Sequence, residues 1–116
     1  MQFIAKVIVG KGRGKRLGFP TANLDKMDLD IKHGVYLVEV EINRKPYSGL
    51  LHFGPKKTFN EGVSLELHIE NFNFDIYSKN VKIKIINKIR DVMKFDSAES
   101  LKEQISKDLK KLNKEL

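Results

Sequence analysis

Apolar residues recur with a period of two over most of this chain. Phe3, Ala5, Val7 and Val9 alternate with Gln2, Ile4, Lys6 and Ile8, a run apolar enough to predict a mostly buried opening strand. Further strands are predicted over Val35 to Ile42, Tyr47 to Phe53, Val63 to Ile69 and Val81 to Ile86, all rich in β-branched or aromatic residues. Asn43-Arg-Lys-Pro46 reads as a hairpin turn, and Gly54-Pro55, Asn60-Glu-Gly62 and Ser78-Lys-Asn80 as further turns. After Phe95 the period changes. Leu101, Ile105, Leu109, Leu112 and Leu116 form one stripe of a helix, with Asp96 or Ser97 as its cap and Glu99 in its first turn. Short strands followed by one amphipathic helix predict an all-β barrel with a C-terminal helix packed against it.

A length of 116 residues predicts a single domain spanning 1–116. No apolar run is long enough to cross a bilayer and no signal-peptide pattern opens the chain. The absence of cysteine excludes disulfides, thiolate metal sites and a cysteine nucleophile, and agrees with a cytoplasmic location. The formal net charge of +7 favours anionic partners without choosing among nucleic acid, phosphorylated metabolites and acidic membranes.

The stretch Gly10 to Asn23 concentrates the candidate chemistry. Gly10, Gly12, Gly14 and Gly18 allow close backbone approach to a ligand, while Lys11, Arg13, Lys15 and Arg16 supply positive charge. Together they suit a phosphate cradle, or simply a flexible basic loop. Neither a Walker loop nor a dinucleotide-binding glycine pattern can be threaded through it.

Gly18-Phe-Pro-Thr-Ala-Asn23 resembles the Pro-Thr-Ala-Asn signature of the riboflavin kinase family. The resemblance continues through His33-Gly-Val-Tyr36, Gly54, Thr58-Phe59, Leu65-Glu-Leu-His68, Phe74-Asp-Ile-Tyr77, Ile89-Arg90, Lys94-Phe95 and Ser97, covering nearly the whole chain in order. It implies a six-stranded antiparallel Greek-key barrel like the kinase domain of bacterial bifunctional riboflavin kinase/FAD synthetases. The implied activity is transfer of the γ-phosphate of ATP, or of another nucleoside triphosphate, to the ribityl 5′-hydroxyl of riboflavin, giving FMN and the nucleoside diphosphate with Mg²⁺ as cofactor.

The resemblance assigns Glu66 as the general base. It makes Thr21, with Asn23 beside it, the ligand of the nucleotide phosphates and Mg²⁺, joined on the nucleotide side by Gly10, Gly12, Arg13, Gly14, Lys15, Gly18 and Pro20. Arg90, Lys94 and Phe95 fall in the segment that closes over flavin and nucleotide. Phe95 could pack on the flavin ring or anchor the helix in the core, and the sequence leaves both open. The alternation of Val63, Leu65, Leu67 and Ile69 with Ser64, Glu66, His68 and Glu70 places Glu66 on the polar face of a strand. His33, His52 and His68 show no metal-ligand spacing and read as structural.

The chain departs from the family at His52, where asparagine is common, at Lys56-Lys57, where Arg-Pro is, at Ser78, where glycine is, and at Val92, where glutamate is. The departures leave the nucleotide loop intact and bear on the acceptor, so a non-catalytic flavin-binding relative stays open. So does a nucleic-acid-binding barrel, although no aromatic–basic stripe supports it and nucleic acid is not the expected partner. A monomer free of membrane association is expected.

Overall fold

The computed structural model describes residues 1–8, 22–26, 28–56, 61–70, 76–93 and 97–115. Six strands run in chain order: β1 (Gln2–Ile8), β2 (Ala22–Leu24), β3 (Gly34–Ile42), β4 (Lys45–Lys56), β5 (Glu61–Ile69) and β6 (Asn80–Arg90). A helix, α1 (Ala98–Glu115), follows. The strands close into a barrel in the order β1-β2-β5-β4-β3-β6, with every neighbouring pair antiparallel. Hairpins join β3 to β4 and β4 to β5, and β6 returns to lie beside β3, which is the Greek-key connection. The expected fold is therefore the observed one.

The period-two pattern sorts residues between the two faces of the wall. Phe3, Ala5, Val7, Leu24, Tyr36, Val38, Val40, Leu51, Phe53, Leu65, Leu67, Val81 and Ile83 all belong to the buried core inside the barrel. A barrel of this strand number is narrow enough for side chains to fill it. The expectation of a mostly buried β1 is corrected on its outer side. There Ile4 and Ile8 are exposed, because the wall covers only the inward-facing residues.

Outside the wall, Val35, Leu37 and Leu50 form a second buried cluster, joined by Ile89 of β6 and Leu109 of α1. These outward apolar positions are the seat of the helix. Ser97 caps α1, its Oγ accepting the Ser100 amide at 3.1 Å. The covered side of α1 includes the expected Ile105 and Leu109, both half-buried. Its most deeply buried described residue, however, is Asp108 at 1% exposure.

Two turn expectations are refined. Asn43 and Arg44 alone make the β3–β4 turn, with φ of 51° and 67°, the left-handed pair that matches strand twist in a two-residue hairpin. Gly54 and Pro55 lie within β4 rather than in a turn. Gly54 adopts φ 139°, and the register slips by a bulge between Pro55 and Lys56.

Gly49 is required by contact rather than by conformation. A Cβ there would lie 2.7 Å from the His68 carbonyl oxygen on β5. Gly49→Ala is expected to cost about 1–3 kcal/mol of stability by forcing β4 and β5 apart. A lower midpoint of urea unfolding checks it.

Candidate active site

β5 carries the proposed base on a rigid element. Its inward residues Leu65, Leu67 and Ile69 are buried in the core, and Glu66 points to the opposite, outer face. An outward carboxylate on a strand is ordinarily solvated, yet Glu66 is only 9% exposed. Burial of a carboxylate is costly unless polar neighbours compensate it, so its surroundings carry information.

The register supplies those neighbours. Glu66 stands opposite Asn23 of β2 on one side and opposite His52 of β4 on the other. His52 in turn faces Val35 of β3, and Val35 faces Arg90 of β6. Directly opposed residues share a face, so Asn23, Glu66, His52, Val35 and Arg90 form one row across the outer wall of five strands. Three residues singled out by the sequence, 67 positions apart at the extremes, thus lie on one line. Asn23 and His52 are half-buried. The amide oxygen of Asn23 and the carboxylate of Glu66 are both hard donors of the kind a small divalent cation prefers.

The far end of the row is an ion pair. Arg90 Nε donates to both carboxylate oxygens of Asp108 at 3.1 Å, and Nη2 donates to Oδ2 at 2.9 Å. The two side chains are 14% and 2% exposed, so the pair is largely withdrawn from water. Gln104, one turn earlier on α1, donates to Asp108 Oδ1 at 3.0 Å, and Arg90 Nη1 donates to the Asp91 carbonyl at 3.1 Å. Arg90 therefore fastens the last strand to the helix. Asp108 escaped the sequence reading because its partner lies 18 residues away; the local signal was a polar pair, Gln104 and Asp108, beside the apolar stripe.

Beyond Arg90, the Asp91 carboxylate accepts a hydrogen bond from Lys88. That bond, above all, raises the Lys88 ammonium above its ordinary lysine value, although desolvation works against it. The pair is solvent-exposed, so it adds little to stability. His33 stacks edge-on against Phe53, with ring centroids 5.1 Å apart and planes at 89°, and lies against Gly54. Among the described residues no cluster of three His, Asp or Glu side chains could hold a metal. No described helix is long and apolar enough to cross a membrane.

Gly10, Gly12, Arg13, Gly14, Lys15, Gly18, Pro20, Thr21 and Phe95 lie outside the described residues. What the structure places of the predicted site is Asn23, Glu66 and Arg90, on one row. Sequence reasoning missed His52 and Asp108 as their neighbours.

A family model described as riboflavin kinase matches residues 1–116. The chain belongs to the riboflavin kinase family. Its resemblance to an RNA-binding riboflavin kinase of Bacillus subtilis amounts to 39% identity over 112 residues, covering 94% of this chain and 49% of that protein. Bacterial bifunctional riboflavin kinase/FMN adenylyltransferases also match, and the chain spans half or less of the length of these curated relatives. Among solved structures, a macrolide-efflux protein from Streptococcus pneumoniae superposes with a TM-score of 0.86 at 36% identity, over 97% of this chain and 38% of that one. A riboflavin kinase from Trypanosoma brucei superposes with a TM-score of 0.65 at 26% identity, over 99% of this chain and 77% of that one. The riboflavin kinase fold thus accounts for essentially the whole chain.

Proposed function

We propose that this domain is an ATP:riboflavin 5′-phosphotransferase, with Glu66 as its general base. The observation that carries the reading is the burial of Glu66 on the outer face of β5, directly beside Asn23 of the Pro-Thr-Ala-Asn signature, in a member of the riboflavin kinase family. Glu66 takes the proton of the ribityl 5′-hydroxyl as that oxygen attacks the γ-phosphorus. The bond from phosphorus to the bridging oxygen breaks, and ADP leaves.

Thr21 and Asn23 would hold Mg²⁺, which when bound neutralises charge on the nucleotide phosphates. By the family resemblance, the glycine-rich stretch with Arg13 and Lys15 would supply the cradle for those phosphates. Arg90, held by Asp108, would border the ligands from the β6 side, and the family resemblance assigns Phe95 to the same role. The partners of this reading are riboflavin, FMN, ATP and ADP, in a cytoplasmic monomer.

Incubation with riboflavin, ATP and Mg²⁺, followed by chromatography of the flavins, tests the reading. FMN is the expected product; its absence, with CTP also tried, removes the assignment. Asn23→Ala is expected to raise KM for Mg·ATP roughly tenfold, the scale of one hydrogen bond or ligand contact to a charged group. Unchanged KM in steady-state assays removes Asn23 from the nucleotide side. A salt-dependent mobility shift with single-stranded oligonucleotides would instead favour a nucleic-acid-binding barrel.

A further inference from the structure

Glu66 is flanked on its own face by two directly opposed side chains, and of these only His52 combines a titratable ring with a hydrogen-bond donor. Directly opposed residues on one face bring their Cβ atoms to about 4.5–5.5 Å, within hydrogen-bonding reach of an imidazole and a carboxylate. The remaining polar groups of this face are worse placed. His68 shares the face but lies two residues along β5, about 6.6 Å away, and stands opposite Leu50. Arg90 is three strands distant, about 14 Å along the sheet, and its guanidinium is engaged by Asp108. Asn23, on the other flank, brings a neutral carboxamide.

We propose that His52 is a positioning residue that orients the Glu66 carboxylate across the β4–β5 ladder. This rests on the reading of Glu66 as the base. A carboxylate on a side chain with three rotatable bonds gains from a fixed donor. An imidazole N–H engages one carboxylate oxygen and leaves the other directed at the hydroxyl it must deprotonate. Both residues sit in mid-strand, so neither can drift without disturbing the ladder. Orientation of a base by a third group is a recurring arrangement in group-transfer sites. It also gives the second flank of Glu66 a task distinct from that of Asn23, which faces the nucleotide side.

Two measurements test the proposal. In protein labelled with ¹⁵N-histidine, Glu66→Gln is expected to change the ring-nitrogen shifts and tautomer of His52 while those of His33 stay as they were. Unaltered His52 signals overturn the proposal, with or without catalytic turnover. In steady-state assays, His52→Leu is expected to lower kcat roughly ten- to a hundredfold, the scale of a hydrogen bond to a charged group, with KM for riboflavin and Mg·ATP unchanged. His52→Asn, which keeps an N–H donor, is expected to recover most of that loss.

In the Glu66→Gln background, His52→Leu is expected to have no further effect, since its action passes through the carboxylate. A rise in KM without loss of kcat, failure of His52→Asn to recover activity, or full additivity with Glu66→Gln each overturns the proposal. Should His52→Leu not fold, His52→Asn and the ring spectra decide. Failure of the underlying reading looks different: the wild type then makes no FMN, or Glu66→Gln matches it, whatever happens at His52.

Discussion

Glu66→Gln is expected to reduce kcat for FMN formation by about 10²–10⁴-fold, the usual contribution of a positioned general base. The amide keeps the volume of the carboxylate and its place between Asn23 and His52, but it cannot accept the hydroxyl proton. Binding depends on contacts made before proton transfer, so KM for riboflavin and for Mg·ATP should stay near the wild-type values. Stability should be little altered, because a neutral amide is cheaper to bury than a carboxylate. Chromatographic assay of FMN alongside urea unfolding separates the outcomes. Activity equal to the wild type would remove Glu66 from the chemistry while leaving the kinase assignment intact.

The second large effect falls on stability. Asp108→Ala leaves the guanidinium of Arg90 without its bidentate partner in a position only 14% exposed. Removing one member of a buried ion pair typically costs about 3–5 kcal/mol, since the remaining charge stays desolvated without its counter-ion. That is a large share of the stability of a domain this small. Urea unfolding should show a lower midpoint at nearly constant slope. The double substitution Arg90→Met with Asp108→Leu should restore much of the loss, because apolar side chains of similar size can replace such a pair. A loss below about 1 kcal/mol for Asp108→Ala would mean that Arg90 finds another acceptor or reaches water.

Glu66 and Arg90, the partner of Asp108, stand on one row of side chains three strands apart. At the β5 position stands the buried carboxylate proposed as the base, and at the β6 end a buried ion pair ties helix to barrel. The row gives mechanical continuity between them: α1 packs on Leu50 and Val35, which adjoin His52 in strand and register. Loss of the Arg90–Asp108 pair is therefore expected to disturb the wall on which Glu66 stands, beyond loosening the helix.

Much of this was legible in the sequence, for physical reasons that can be named. Alternation assigned the inward face of β5 correctly over Leu65 to Ile69, since side chains of a strand must alternate, although Val63 at its start is exposed. The helical stripe located α1, and Ser97 was one of the two caps the sequence offered, because capping chemistry is local. The Pro-Thr-Ala-Asn motif identified the family through residue identity alone. Strand lengths were underestimated: β4 continues through Gly54 and Pro55, where local turn chemistry suggested a break but pairing with β5 prevails.

What the tertiary structure alone decided is proximity between distant residues. The burial of Glu66, its alignment with His52 and the union of Arg90 with Asp108 depend on strand register and on where the helix lands. Register in this barrel passes through bulges at Pro55/Lys56 and at two places along β6, so residues cannot be counted across from one strand to the next. Local sequence determines which face a side chain takes. Only closure of the sheet determines which side chain it meets there, because that partner is chosen by the packing of the whole wall.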